Sequence, residues 1–515
     1  MRHFSVYVLY RAASAFLRAV PLPGIFRLGQ ILGFCAWLIL PGYRRLALRN
    51  ASIAFDHEGS AGSLGRVVRR HFQLLGANLL SSIKITTMPV DELEGRTRIN
   101  NLEVIHQYLR AGRPVVVILS HIGNWELLAQ LWPKFIGSVR NGTVYQRLSN
   151  PWIDRHVRQL RSRSGVELFD RKEGFQKAID LLRSGGVIGI LSDQHAGDHG
   201  LWVPFFGKLA STTPLPALLA KRTGAVVVGI AVYTEGTARW RIDISSAIET
   251  SGQPVEFLTF KANEVIEAQI RRAPEDWFWV HDRWKTPRPN LLLTMYKRGV
   301  YLPPAMSSDQ LKPFRILIRT SNWLGDAVMS VPAVRAIKHG RPDAHVTILA
   351  PQNLAPIWKL IPEVDEIVST GTSSLFSTVR SIRRHSRFDA AVLFPNSLRV
   401  ALEVWLGGVP RRIGYRGHSR AWLLNQVVRK RGKPGPLEHQ SLHYLRIAQN
   451  LGAEVDGTST SFPDEFPVDT ATAAVNNGPI KIGLCPGAEY GPAKRWLPER
   501  FGEVAAQIGA ERNVQ

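Results

Sequence analysis

The chain has 515 residues, which is too many for a single hydrophobic core, so at least two domains are expected. Its formal net charge is +24, and this excess predicts contact with polyanions such as acidic lipid, nucleic acid or an acidic protein. Only Cys35 and Cys485 are present. That count excludes a disulfide framework and favours a reducing or redox-indifferent compartment.

The first 50 residues predict membrane-associated helices. Residues 6–20 are apolar with two interrupting arginines, a Pro-Leu-Pro-Gly sequence then breaks the chain, and residues 28–43 carry no charge. A spanning helix needs about 20 apolar residues, so the second run fits either a short span or a helix that lies in the membrane interface. A cleaved signal peptide and an ordinary buried helix are the alternatives.

The sequence HIGNWE at 121–126 carries the clearest chemical signal. It follows an apolar run at 114–120 that predicts a buried strand, and it precedes an apolar run at 127–132 that predicts a helix. Gly123 allows the chain to bend, so that His121 and Glu126 can meet. A carboxylate beside an imidazole fixes its tautomer and raises its basicity, as a general base requires. The alternative is an ordinary hydrogen-bonded pair.

This sequence resembles the signature block of the lysophospholipid acyltransferase superfamily, and specifically that of the lipid A late acyltransferases. Segments at 145–165, 185–197, 202–225 and 274–289 resemble the later blocks of that family in the expected order. The resemblance implies an O-acyltransferase in which His121 removes a proton from the acceptor hydroxyl. Glu126 would orient His121 and stabilise its charged form, and no covalent enzyme intermediate is expected.

The same blocks supply candidate substrate-binding residues. Arg147 precedes an Asn-Pro in the second block, Asp193 follows a predicted strand, and Phe206 and Gly207 lie at the centre of the third; Asn124 belongs to the first. Arg147 is expected to bind an acceptor phosphate or to align the acid, with a surface salt bridge as its alternative. Asp193 is expected to shape the site.

The acyltransferase resemblance also implies partners and a location. Acyl carrier protein would be the donor and a lipid A precursor the acceptor, at the cytoplasmic face of the bacterial inner membrane. Four arginines between 155 and 163 predict a basic helix face for the acidic carrier or a phosphorylated lipid, or else an ordinary solvated face. The sequence has no metal-ligand spacing and no nucleic-acid recognition pattern, so no metal, cofactor or nucleic acid is expected.

After residue 286 the pattern changes. Residues 286–313 contain five prolines and predict a linker, with its centre at 296–313. Beyond it, apolar strands alternate with helices, which predicts a doubly wound parallel sheet. Ligands of such sheets bind beyond the carboxyl ends of the strands, where Asp326, Ser397 and Lys494 are predicted to lie. The predicted strands are 315–320, 345–350, 389–394 and 481–484, and the first predicted helix is 327–339.

Segments at 320–338, 394–424 and 485–501 resemble the ADP-heptose–lipopolysaccharide heptosyltransferases of glycosyltransferase family 9. The resemblance implies two Rossmann-like domains of GT-B type, with ADP-heptose as the donor. Asp326 would be the base on the acceptor hydroxyl, and Lys494 would lie near the diphosphate, where a positive charge stabilises the departing nucleotide. From the residues alone, a helix N-cap is the alternative for Asp326 and a solvated loop lysine for Lys494.

The fold class expected is therefore α/β, with a mixed-sheet acyltransferase domain and a Rossmann-like domain. The family block that contacts the donor nucleotide is not found in 478–515, so a complete heptosyltransferase is not expected. The predicted divisions are membrane-associated helices at 1–50, an acyltransferase domain at 51–295, a linker at 296–313, a Rossmann-like domain at 314–470, and the start of a second at 478–515.

Three other functions stay open at this stage. The first is acyl transfer to a glycerophospholipid or to another glycolipid, since the His–Glu pair serves any hydroxyl acceptor. The second is a glycosyltransferase whose acyltransferase-like half is only a membrane anchor. The third is a basic scaffold without enzymatic activity, whose binding would depend steeply on salt.

Overall fold

The computed structural model describes residues 2–55, 61–370, 374–385, 387–417, 419–429, 438–454, 483–487 and 495–512. Within them the chain forms one large sheet in each half and a separate two-stranded sheet. Helices flank both large sheets, so the predicted α/β class is confirmed.

Helices open the chain, and the predicted break between the first two falls at Pro21, while Pro23 lies in the first turn of the second helix. The second and fourth helices touch backbone to backbone, because a Cβ on Gly33 would lie only 2.0 Å from the carbonyl oxygen of Phe72. Glycine at this position is therefore needed for the close contact. The opening helices are α1 (Arg2–Ala19), α2 (Leu22–Ile39), α3 (Pro41–Phe55), α4 (Ala61–Ile85) and α5 (Val90–Glu94).

Helix α2 is the one helix in the described part of the chain that is long and apolar enough to cross a membrane. It has 18 residues with a mean hydropathy of 1.5. It leaves Ile31 60% exposed and Ile39 72% exposed. Clustered apolar exposure of this kind marks a surface that contacts lipid or protein, which agrees with the membrane-associated helix predicted from the sequence.

Nine strands follow in the N-terminal half. Seven of them form the first large sheet, in the order β1-β9-β8-β2-β5-β3-β4. The strands are β1 (Thr97–Asn100), β2 (Val115–Leu119), β3 (Asn141–Tyr145), β4 (Glu167–Asp170), β5 (Val187–Leu191), β6 (Leu201–Phe205), β7 (Lys208–Thr212), β8 (Val226–Gly236) and β9 (Arg239–Ile248). The helices between and after them are α6 (Leu102–Arg110), α7 (Leu127–Ile136), α8 (Pro151–Arg163), α9 (Gln176–Arg183), α10 (Leu215–Thr223) and α11 (Val255–Arg272).

The first sheet is mixed, as predicted. Strands β2 and β5 are parallel neighbours at its centre, whereas β8 and β9 pair antiparallel. The central strand β2 reads VVVIL and is buried almost throughout, as is typical of a parallel strand covered by helices on both faces. The parallel pairing places the carboxyl ends of β2 and β5 side by side.

Six parallel strands form the second sheet, in the order β12-β11-β10-β13-β14-β15. They are β10 (Phe314–Arg319), β11 (Ala344–Pro351), β12 (Glu366–Thr370), β13 (Ala390–Leu393), β14 (Arg411–Tyr415) and β15 (Gln426–Val428). The helices are α12 (Leu324–His339), α13 (Ala355–Lys359), α14 (Leu375–His385), α15 (Leu398–Leu406), α16 (Gln440–Asn450) and α17 (Pro498–Arg512). This is the predicted Rossmann-like arrangement. The predicted strand at 481–484 begins outside the described residues, and residues 483–487 form neither helix nor strand.

The proline-rich segment predicted as a linker is packed between the two sheets. Leu291 and Leu292 are fully buried in the core of the second sheet, and the amide of Leu291 donates to the carbonyl of Leu451 at 2.8 Å. Farther along, the amide of Lys312 donates to the carbonyl of Gly207 at 2.7 Å. The composition predicted a linker because prolines favour an extended chain. The leucines between the prolines are instead buried against side chains of both halves.

A buried carboxylate joins the two halves. Asp389, just before β13, accepts hydrogen bonds from Lys208 Nζ at 2.8 Å, from Arg49 at 3.2 Å and from the backbone amide of Arg315 at 3.1 Å. Burial alone would raise the pKa of Asp389, but the charges of Lys208 and Arg49 outweigh burial and hold that pKa below its usual value. Helix α3, the β6–β7 hairpin and β10 thus meet at one ionised side chain.

Replacing Asp389 with alanine is predicted to destabilise the whole chain. The Asp389→Ala variant leaves Lys208 as a buried and uncompensated charge, and breaking a buried ion pair costs about 3–5 kcal/mol. Denaturant unfolding of the detergent-solubilised protein measures this change. The control is Asp91→Ala, because Asp91 pairs with Lys134 while 89% exposed, and its unfolding midpoint should barely move. Equal midpoints for the two variants would contradict the prediction.

Candidate active site

The end of β2 places His121 at the carboxyl edge of the first sheet. The strand ends at Leu119, and the chain then bends at Gly123, whose φ is +55°. A Cβ on Gly123 would lie 2.1 Å from the carbonyl oxygen of Val232. The bend therefore requires glycine both for its backbone angle and for the space it leaves. His121 precedes α7, as the sequence predicts.

Asp193, which follows β5, holds His121 through two hydrogen bonds. The Nδ1 atom of His121 lies 2.7 Å from Oδ1 of Asp193, and the backbone amide of His121 donates to Oδ2 at 2.8 Å. The indole Nε1 of Trp277 also donates to Oδ2, at 2.8 Å. Because a carboxylate only accepts, Nδ1 carries the proton, which leaves Nε2 as the ring atom able to take one from a substrate.

Electrostatics make this imidazole more basic than an ordinary histidine. Burial alone would lower the pKa of His121, but the charge of Asp193, its hydrogen bond, and the charge of Glu126 outweigh burial and raise that pKa above 6.5. Burial likewise opposes ionisation of Asp193, and the His121 charge outweighs it to lower the pKa of Asp193. A protonated His121 and an ionised Asp193 therefore stabilise each other as an ion pair.

Aromatic rings enclose the imidazole. The ring of Trp125 meets it edge-on with centroids 4.8 Å apart, and the ring of Phe278 lies 5.8 Å away. The side chain of His121 is 14% exposed. Such an enclosure leaves little of the imidazole in contact with water, which favours a base that acts on a bound substrate rather than on solvent.

Glu126 does not hold His121, contrary to the prediction. It occupies the N-cap position of α7 without a side-chain capping bond, and its carboxylate pairs with Arg161 of α8, with Nε to Oε2 at 3.1 Å. Asp193 instead makes the contacts expected of Glu126. Strands β2 and β5 end side by side, which brings Asp193 to His121, whereas the bend between residues 121 and 126 turns Glu126 away from the imidazole. Glu126 still acts on His121 through its charge, which is among the causes of the raised pKa.

The other acyltransferase candidates lie at varied distances from this pair. Arg147 is half exposed and pairs with Asp170 and with Glu173, at 3.1 Å from Glu173. Asn124 is 2% exposed, and neither polar atom of its side chain has a hydrogen-bond partner among the described residues. It is the candidate with unused hydrogen-bonding capacity beside His121.

Phe206 and Gly207 form the turn of the β6–β7 hairpin. Their φ angles are +52° and +74°, and the amide of Phe206 donates to Glu267 at 2.7 Å. Phe206 packs against Phe55 with centroids 5.6 Å apart. These contacts place the two residues beside the packed segment 286–313, and their role in substrate binding stays a prediction.

In the second half, Asp326 and Ser397 follow strand ends as predicted. Asp326 lies in the first turn of α12, where its carboxylate accepts from Ser321 at 3.2 Å and from the hydroxyl of Tyr444 at 3.1 Å. The N-cap of α12 is Trp323, so the N-cap alternative for Asp326 is wrong. Ser397 caps α15 by accepting from the amide of Val400. Lys494 lies outside the described residues.

Sequence reasoning missed two residues that brace the bend. The carboxylate of Asp276 accepts a hydrogen bond from the backbone amide of Thr234 at 2.7 Å, and its backbone carbonyl accepts one from the amide of Gly123 at 3.0 Å. Burial raises the pKa of Asp276 to about 7. Trp277 secures Asp193. Both residues belong to the closing block at 274–289. The acid followed by tryptophan in that block was the sequence signal that could have identified them as site residues. No group of three metal-binding side chains occurs among the described residues.

Residues 1–286, more than half of the chain, match the family model for bacterial lipid A biosynthesis acyltransferases. The chain belongs to this family. The lipid A biosynthesis lauroyltransferase of Escherichia coli (strain K12) is 27% identical over 282 residues, which are 54% of this chain and 90% of that protein.

Residues 375–515 match the model for glycosyltransferase family 9 (heptosyltransferase), so the second half contains a heptosyltransferase-like module. Lipopolysaccharide heptosyltransferase 2 of Escherichia coli (strain K12) is 32% identical over 215 residues, covering 38% of this chain and 60% of that protein. The solved structure of E. coli ADP-heptose lps heptosyltransferase II is 30% identical, with coverage of 38% and 62% and a TM-score of 0.32. The chain thus spans about 60% of the length of its heptosyltransferase relative.

Replacing Asp193 with asparagine is predicted to lower the pKa of His121. Without the carboxylate charge, burial dominates and favours the neutral imidazole. Diethyl pyrocarbonate reacts with neutral imidazole, and peptide mass spectrometry measures the fraction of His121 modified at each pH. The pH at which this fraction increases should be lower in Asp193→Asn than in the wild-type protein. His339, which is 72% exposed, serves as the internal control with an unchanged profile. An unchanged profile at His121 would show that Asp193 does not set its basicity.

Adding one methyl group at Gly123 is predicted to unfold the bend. Gly123→Ala combines the left-handed backbone angle, worth roughly 1–2 kcal/mol, with overpacking against Val232, worth about 1–3 kcal/mol. Gly224→Ala is the matched control, since Gly224 has a left-handed backbone with a φ of +70° and open space around its Cβ position. Denaturant midpoints should therefore fall further for Gly123→Ala. A larger loss for Gly224→Ala would contradict the steric argument.

Proposed function

We propose that the N-terminal half transfers a fatty acyl chain from acyl carrier protein to a hydroxyl of a lipid A precursor. The observation that carries the proposal is the His121–Asp193 pair, whose free Nε2 lies at the carboxyl edge of a parallel sheet in an apolar enclosure. Membership of the lipid A acyltransferase family supports the class of acceptor.

In the proposed reaction, Nε2 of His121 takes the proton of the acceptor hydroxyl as its oxygen attacks the thioester carbonyl. A carbon–oxygen bond forms and the carbon–sulfur bond breaks. The carrier thiolate leaves and recovers the proton from His121. Asp193 keeps the imidazole in the reactive tautomer and stabilises its transient positive charge. Every atom and charge is then balanced without a covalent enzyme intermediate.

The surrounding residues take supporting roles in this proposal. Glu126 adds negative charge near His121 and is itself positioned by Arg161. Asn124 is the candidate donor to the carbonyl oxygen that becomes negative during attack, because its amide has no other described partner. Arg147 is already neutralised by Asp170 and Glu173, which favours a positioning role over phosphate binding.

Helix α8 is the proposed docking surface for the acidic carrier. Arg155 and Arg158 line a cavity of about 430 Å³ on its exposed side. Of the four arginines predicted to form a basic face, Arg161 instead pairs with Glu126. The side chain of the arginine at 163 lies outside the described residues. Long-range attraction between opposite charges speeds such encounters.

The membrane is the proposed location, at the cytoplasmic side of the bacterial inner membrane. The acceptor is a lipid, and α2 has the length and apolarity to enter the bilayer. Arg44 and Arg45, which follow α2 in the sequence, would then contact anionic headgroups, whereas Arg49 pairs with Asp389. The domain divisions predicted from the sequence are retained in this proposal, with the segment 296–313 as a packed connection.

A second activity, heptosyl transfer from ADP-heptose, is proposed only for the second half. The position of Asp326, held by Ser321 and Tyr444 beside the end of β10, favours a base at that edge of the sheet. Lys494 is proposed to bind the donor diphosphate. Because the chain spans about 60% of its heptosyltransferase relative, this activity is tested separately from acyl transfer.

Acyl transfer is tested with the full chain in detergent, acyl carrier protein thioesters and a Kdo-bearing lipid A precursor. The expected product is the precursor with one added acyl mass. His121→Ala should reduce the rate by about 10²–10⁴, the usual contribution of a general base. His339→Ala is the matched control and should retain the rate, since His339 is 72% exposed in the other half of the chain.

The outcomes separate the competing functions. No added mass with folded wild-type protein would reject the lipid A acceptor, and phospholipid or other glycolipid acceptors would be tried next. Equal rates for His121→Ala and wild type would reject His121 as the base. Sugar transfer from ADP-heptose that survives His121→Ala, without any acyl transfer, would favour a glycosyltransferase with an acyltransferase-like anchor.

A further inference from the structure

A second polar cavity, of about 430 Å³, lies where α1 ends and α2 begins. It is closed on its other sides by the end of α4 and by α5 with the turn that follows. These elements differ from the strand ends that hold His121, so the cavity is separate from the proposed acyl-transfer site. Its charged lining consists of Arg18, Lys84, Arg96 and Glu92.

The lining has spare positive charge. Three cationic side chains face one carboxylate, and Glu92, which is 49% exposed, reaches only Arg96, at 3.3 Å. The Nε atoms of Arg18 and Arg96 are both buried, and neither has a hydrogen-bond partner among the described residues. Lys84 donates to the backbone carbonyl of Arg18, which ties α4 to the end of α1. Because three cationic side chains line the cavity with one carboxylate, the cavity favours binding of an anion.

The start of α2 adds to this electrostatic preference. Helix α2 has no acidic residue in its first turn and no side-chain cap, so its positive end is not neutralised by its own residues. Pro23 and Leu22 of that first turn line the cavity. The helix end alone would decide nothing, but it adds positive potential to a cavity that three cationic side chains already line.

Exposed apolar side chains occur on the helices that line the cavity. Phe16 of α1 is 65% exposed, Leu28 and Ile31 of α2 are 36% and 60% exposed, and Val90 of α5 is 36% exposed. A cavity with cationic walls at the end of an apolar helix matches the order of a bilayer, in which the phosphates lie just outside the acyl chains. The cavity would then lie at headgroup depth when α2 is inserted.

We propose that this cavity binds the phosphate of an anionic phospholipid headgroup. The terminal guanidinium nitrogens of Arg18 and Arg96 donate to the phosphate oxygens, and Lys84 adds positive charge. The bound lipid anchors the α1–α2 junction at the membrane surface and so fixes the depth and tilt of α2. This site serves membrane orientation and does not depend on acyl transfer for its occupancy.

The test compares binding of full-length protein to vesicles of phosphatidylglycerol with phosphatidylcholine and to vesicles of phosphatidylcholine alone. The double variant Arg18→Gln/Arg96→Gln should partition about tenfold less to the anionic vesicles and equally to the neutral ones. The double variant Arg110→Gln/Arg222→Gln removes the same charge from two exposed positions and is the matched control. It should lose much less binding than the cavity variant.

Three results would overturn the proposal. Wild-type affinity in the cavity variant would show that the cavity does not hold the headgroup. An equal loss in the control variant would show that only total charge matters. Binding of inorganic phosphate by wild type but not by the cavity variant, together with equal binding of both proteins to anionic vesicles, would assign the cavity to a free phosphate. Because the readout is binding, failure here is distinct from failure of acyl transfer.

Discussion

The buried carboxylate of Asp193 is the constraint on which the N-terminal half depends. A buried charge is tolerated only when its oxygens are hydrogen-bonded, and here the donors come from the end of β2 and from Trp277. Satisfying Asp193 therefore brings together the bend at Gly123, the end of β5 and the closing segment. The same bonds orient the His121 imidazole and raise its pKa. Folding and chemistry rely on one set of contacts.

A comparable buried carboxylate, Asp389, links the two halves of the chain. Its partners are Lys208 in the hairpin and Arg49 in α3, while Asn50 of α3 donates to the carbonyls of Trp279 and His281 at 2.8 and 2.7 Å. The closing segment around the proposed site is thus supported through α3 by a residue of the second sheet. The heptosyltransferase-like module contributes to the stability of the first half, whatever its own activity.

The N-terminal helices give the molecule a polarity suited to a lipid acceptor. Apolar side chains on α1 and α2 are exposed, and cationic side chains gather where the two helices meet. An apolar surface bordered by positive charge matches an anionic bilayer. The imidazole of His121, in contrast, is enclosed by Trp125 and Phe278. The proposed membrane surface and the proposed active site are therefore built from different elements, and each can be altered without the other.

The sequence by itself determined the elements that depend on near neighbours. Strand β2, the bend at Gly123 and the helix break at Pro21 followed from apolar runs and from backbone preferences, as did the parallel second sheet. The partner of His121 was decided only by tertiary structure. Asp193 lies 72 residues away, and strand pairing brings it closer than Glu126, five residues along the chain. Likewise, the proline-rich composition of 286–313 could not reveal that its leucines are buried, because burial depends on surfaces that two distant sheets provide.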